Sequence, residues 1–149
     1  MLRLSILIGF LVLILASCSY EPEPINFGHD ECYLCKMTIT EQKYGAELIN
    51  KNGKNFKFDA IECMAKFIND GEIDKEKIHS LWTVNYTEPG MLIDAEKAFI
   101  LRSKSLPSPM AMFLTSFSKN EDLEKVKKEH PGDVYNWNGV LELVKKEWE

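Results

Sequence analysis

Sulfur is the reactive chemistry that this chain concentrates. Cys32-x-x-Cys35-x-Met37 places two thiols and a thioether in one short stretch. Cys63-Met64 pairs the same two groups again, and Pro109-Met110-x-Met112 sets two further thioethers behind a proline-bearing loop. Thiolate and thioether are soft ligands, which suit monovalent copper. A thioether carries no proton, so its binding is independent of deprotonation. A thiolate adds charge and strength, but needs a lowered pKa or the metal itself to ionise. One or two of each make a low-coordinate Cu(I) site that can still release its ion. The candidate donors are Cys32, Cys35, Met37, Cys63, Met64 and Met110. His29, three residues before Cys32, could add an imidazole nitrogen.

The same residues also fit plainer roles. Cys32 and Cys35 could close a disulfide in an oxidising compartment. That gives an alternative reading, a thiol redox or structural protein in which Met37 and Met110 only pack. Cys63 and Met64 fall within an amphipathic helical pattern, where both residue types are common core fillers. A closed zinc site of four cysteines is excluded, because one of the four, Cys18, has another use. No GxGxxG, Walker loop, HExxH or suggestive Ser-His-Asp order occurs, so no enzymatic activity is expected. The 149 residues are 45% hydrophobic and 28% charged, a globular composition. A net charge of −5 without a dense basic patch excludes nucleic acid as a partner.

Cys18 ends an address segment. Arg3 precedes an almost purely apolar run from Leu4 to Leu15, shorter than the ~20 residues of a spanning helix. Leu15-Ala16-Ser17-Cys18 then resembles the lipobox of bacterial lipoproteins. Residues 1–17 read as a lipoprotein signal peptide and Cys18 as the lipidated mature N-terminus. Acyl chains there anchor the protein to a membrane. The expected location is the cell envelope, on the periplasmic face. Ser19 in place of Asp favours the outer membrane in a Gram-negative host. Residues 18–30 read as the lipidated Cys with a polar, proline-bearing tether.

The elements that must position the sulfur follow from local pattern. Ala46–Asn50 and Phe56–Phe58 read as strands around an Asn-Gly hairpin turn. Asp59 is placed to cap a helix that carries Ile61, Met64, Phe67 and Ile68 and stops at Asn69-Asp70-Gly71. A short helical piece near Ile73–Ile78 leads to a strand at Leu81–Tyr86. After the Thr87–Gly90 turn the order recurs: strands at Ala98–Arg102 and Met112–Phe117, a charged helix at Asn120–Glu129, a short strand at Val134–Tyr135, and a helix from Trp137 capped near Asn136. The expected fold is α+β, two tandem ββαβ-like units. The first covers residues 31–88; the second covers 89–149 and includes the C-terminal helix.

Taken together, Cys32-x-x-Cys35-x-Met37, Phe58-Asp59-x-Ile61-x-Cys63-Met64, Trp82-Thr83-Val84-Asn85-Tyr86, Ile93-Asp94-Ala95-x-x-Ala98 and Pro109-Met110 resemble the NosL family in order and spacing. These are lipoproteins associated with maturation of nitrous-oxide reductase. The resemblance implies a Cu(I)-binding accessory protein outside the cytoplasmic membrane, with paired ββαβ domains. It implies a copper-accepting partner, plausibly an ABC-type assembly complex and then nitrous-oxide reductase or a related copper enzyme. It points to Cys35 and Met37 through the family's Cys-Gly-Met segment, where Lys36 replaces Gly. Ala111 likewise replaces the Gly of the family's Pro-Met-Gly. Lys tolerates left-handed backbone angles poorly, so a different loop geometry is expected at Lys36.

Overall fold

The computed structural model describes residues 20–148. Residues 1–17, read as a signal peptide, and Cys18, read as the lipidated residue, lie outside the described residues. The first hairpin joins β1 (Ala46–Asn50) to β2 (Asn55–Phe58). Asn50 shapes the turn: its side-chain oxygen accepts from the Asn52 and Lys54 amides at 3.0 and 2.9 Å. Gly53 supplies φ +75°, which costs a glycine little.

Helix α1 (Ile61–Asn69) follows directly. Its apolar residues Ile61, Met64, Ala65, Phe67 and Ile68 are all buried. Each large one contributes roughly 1.5–3 kcal/mol by leaving water. Gly71 at φ +75° ends the turn after it. A single 3-10 turn (Lys75–Lys77), capped by the Asp74 side chain, leads into β3 (Ile78–Val84). β4 (Leu92–Asp94) then pairs with β3. The first sheet is therefore antiparallel with the order β2-β1-β3-β4, and it extends past the Thr87–Gly90 turn.

The second sheet is built from β5 (Phe99–Arg102), β6 (Leu114–Phe117) and β7 (Asp133–Tyr135) in the order β6-β5-β7. Helix α2 (Asn120–Glu129) lies between β6 and β7 in the chain, and α3 (Trp137–Glu147) closes it. Asn136 caps α3 by accepting from the Gly139 amide at 2.9 Å, as the sequence predicts. The fold class is α+β with two small antiparallel sheets, again as expected. Both sheets are stitched together where Tyr86 donates its amide to the Ser116 carbonyl and Thr83 bonds Ser116 Oγ at 3.1 Å. Helix α1 packs on α3, with Asn69 donating to the Leu141 carbonyl at 2.9 Å. One core runs through both units, from Leu48, Phe58 and Met64 to Ile100, Leu114 and Val140.

Two expectations are corrected. Met112 does not start a strand. It sits in a loop between Ala111 and Phe113, both at positive φ (59° and 64°), and β6 begins at Leu114. Residues 20–30, read as a tether, lie against the first sheet. Ile25 is 6% exposed in the core, and Phe27 packs beside it. Composition suggests a free linker here, but two apolar anchors among the prolines are enough to dock it.

Candidate metal centre

Two segments meet at the end of β2. The first is a tight loop, residues 32–37. Cys32 donates its amide to the Met37 carbonyl at 2.8 Å, and Lys36 donates its own to the Cys32 carbonyl at 3.0 Å. A bridge between Glu31 and Thr38 closes the base of the loop. Tyr33 fastens it to β2. Its amide bonds the Lys57 carbonyl at 2.8 Å, and its ring meets Phe56 and Phe67 edge-on at 4.8 and 5.5 Å. Lys36 adopts φ 64°, in the left-handed region that glycine enters more easily.

The second segment is the strand-to-helix corner. Asp59 was expected as the cap of α1; the cap position is instead Ala60, and no side chain bonds there. Asp59 is 3% exposed and turned to the loop, where its Oδ2 accepts from the Cys35 thiol at 3.5 Å. Its Oδ1 is buried without a partner. Cys63 stands in the first turn of α1, fully buried. The Sγ atoms of Cys32, Cys35 and Cys63 and a carboxylate oxygen of Asp59 lie within 4.8 Å of one another. Cys32, Cys35 and Cys63 are free thiols in this structure.

The protons in this cluster are unevenly held. The Cys63 thiol donates to Cys32, which draws the Cys32 pKa below the usual thiol range. Backbone amides of Cys35 and Asp59 also point at the Cys32 sulfur. The same bond pushes Cys63 far up, reinforced by burial and by Asp59. Burial raises Cys35 too, although the Met37 amide aimed at its sulfur opposes this. The start of α1 adds the positive end of a helix, which favours a thiolate. Amides directed at sulfur favour the thiolate form, and the thiolate so formed and the buried carboxylate oxygen that lacks a donor are the groups a cation would meet. A metal ion there displaces thiol protons, so its affinity rises with pH.

The other candidates are dispersed. Met37 is 52% exposed, directly after the cluster. His29 is exposed in the preceding loop. Met64 is fully buried in the core, as its apolar face predicts. Met110 is partly buried and lines a cleft with Arg102, Met112, Glu147 and Trp148. Sequence reasoning missed two residues. Asp59 is a donor that its sequence position does not signal, because an aspartate before a helix reads as a cap. Glu62, the single acid in α1, is fully buried and accepts from Ser108 Oγ, which ties the Pro-Met loop to α1. Burial pushes the Glu62 carboxyl up to about 7.

In this small α+β domain, a three-thiol, one-carboxylate cluster at a strand-to-helix corner offers a donor set that could hold a metal ion. A family model for NosL matches residues 24–144, and the chain belongs to the NosL family. Among solved structures, the crystal structure of the copper chaperone NosL from Shewanella denitrificans is similar. The TM-score is 0.70 and the identity 24%, over 80% of this chain and 95% of that one. At that identity the likeness carries the fold. A search among curated proteins found no match.

Proposed function

We propose that the protein is a membrane-anchored Cu(I) carrier, a binding protein rather than an enzyme. It would deliver copper for maturation of nitrous-oxide reductase or a related copper enzyme through an ABC-type assembly complex. The observation that carries this reading is the half-buried Cys35 thiol. It faces the buried donors Cys32, Cys63 and Asp59 on one side, and the exposed Met37 thioether follows it in sequence. Buried thiolates give strength, while an accessible thiol and thioether allow an incoming sulfur to attach before the old one leaves. Four full negative charges around one monovalent ion would be costly in a buried pocket. The proposed state therefore keeps Cys35 as a thiolate on the ion and leaves one of the buried thiols protonated. Lipidation of Cys18 would hold the carrier on the periplasmic side of the envelope. Met110 and His29 stand as auxiliary donors for capture or release.

The test is a Cu(I) titration of the reduced, lipid-free protein against a chromogenic chelator. One tightly bound copper per chain, lost in Cys35→Ser, is the expected result. Unchanged affinity in Cys35→Ser would remove the site assignment. No competition with all three thiols reduced would instead return the chain to the redox or structural reading.

A further inference from the structure

The route of residues 20–25 fixes which end of the molecule faces the anchor. At Tyr20 the hydroxyl donates to the Lys51 carbonyl at 3.2 Å, and the ring stacks on His79 at 4.2 Å. Three residues on, the Glu23 amide bonds Glu47 Oε1 at 2.9 Å. Two further on, Ile25 Cδ1 lies only 2.8 Å from where a Cβ on Gly45 would sit. The chain thus passes Lys51, Glu47 and Gly45 in turn. It crosses the whole of β1 from the hairpin turn to the open end. Pro22 and Pro24 fix φ and keep this strap extended and stiff. The strap then feeds the Cys32–Met37 loop at the open end, beside Asp59. At ~3.3 Å per residue along β1, Tyr20 and the thiols are separated by roughly 15–20 Å.

We propose that the Tyr20 end, with Lys51, Lys75, Lys77 and His79 around it, lies on the lipid bilayer, and that the strap holds the metal centre pointing away from it. The inference rests on the reading of Cys18 as lipidated. Cys18 is two residues before Tyr20, so the chain can span at most ~7 Å between them. That is too short to let the domain turn over. A tyrosine ring suits the headgroup level of a bilayer. Lys77 is fixed beside Lys51, whose amide bonds the Lys77 carbonyl at 2.8 Å. Asp74 and Glu76 interleave with these lysines, so the reach of the anchor sets the contact and net charge adds little.

The test uses the full lipidated protein on vesicles of phosphatidylethanolamine and phosphatidylglycerol. A membrane-impermeant amine-acylating reagent is applied and each lysine is read by mass mapping, normalised to the denatured chain. Lys51, Lys75, Lys77 and Lys36 are all exposed in the free domain. On vesicles, Lys51, Lys75 and Lys77 are expected to react several-fold more slowly than Lys36, which sits in the metal loop. A second protein carries 20 Gly/Ser residues inserted between Ser19 and Tyr20, with a reach of about 25 Å. It should stay anchored and lose the contrast. Equal protection patterns in both proteins, with the acyl mass present on Cys18 and both pelleting with vesicles, would overturn the orientation and leave the anchor standing. Absence of the acyl mass on Cys18 would overturn both.

Discussion

The two units share a strand order and differ in what is laid on it. In each, the first strand lies between the second and third, and a helix leaves the end of the second. Phe58 and Phe117 end those second strands, and both are fully buried. The next residue is Asp59 in one unit and Ser118 in the other. Asp59 is buried behind Cys35, whereas Ser118 is exposed and accepts from the Asn85 amide group at 3.2 Å. Five residues past the phenylalanines stand Cys63 and Asp122; the latter pairs with Lys125 near the surface. The topology makes a corner in both units, and among the described residues only one corner gathers a donor cluster. What distinguishes them is the strap and thiol loop of residues 20–39. Among the described residues nothing comparable precedes β5.

The comparison breaks most sharply at the corner residues. Cys63→Ser should abolish tight Cu(I) binding in a chelator competition. Asp59→Asn should weaken it on the order of 10–100-fold, because a group orienting Cys35 is lost. Asp122→Asn and Ser118→Ala, at the matching places, should leave the affinity unchanged.

Backbone clearance gives the next largest effects. A Cβ at Gly132 would sit 2.0 Å from the Arg102 carbonyl oxygen, so Gly132→Ala should cost about 3 kcal/mol or more. Gly45 is held at φ +125° against Ile25, so Gly45→Ala should cost about 2–3 kcal/mol and loosen the strap. Urea unfolding reads both.

Glu47 gives a smaller, pH-dependent effect. Burial lifts its carboxyl to about 7 in the folded chain. The folded state therefore binds more protons than the unfolded one between the ordinary glutamate value and that pKa, and stability falls as pH rises through this window. Glu47→Gln keeps an acceptor for the Glu23 amide. It should flatten that fall and add on the order of 1–2 kcal/mol at pH 8, measured by unfolding at several pH values. Smallest is Lys36→Gly. Relief of the left-handed angle should stabilise by at most about 1 kcal/mol, with copper affinity unchanged.

Local features were legible where the cause is local. The Asn-Gly turn, the glycine stop of α1, the cap at Asn136 and the bounds of α2 all follow from neighbouring residues, and they stand as read. Cys32, Cys35 and Cys63 were legible as sulfur, and the structure brings them together. Asp59 was not legible as a donor, because an aspartate before a helix is ordinarily a cap. Only the fold of the distant loop turns it inward. The strap was misread for a related reason. Its bonds reach from Glu23 to Glu47 and from Tyr20 to Lys51, separations that local pattern does not report.

The buried bond between Glu62 and Ser108 has a consequence for how the chain comes apart. It runs from the helix beside the thiols into the proline loop of the other unit, and it lies wholly in the shared interior. To separate the units, a carboxylate and a hydroxyl must lose their partners while the common core opens. Neither half then has a low-lying opening of its own. The chain should unfold in one cooperative step, and amides of the irregular loop 103–113 should exchange as slowly as those of α1.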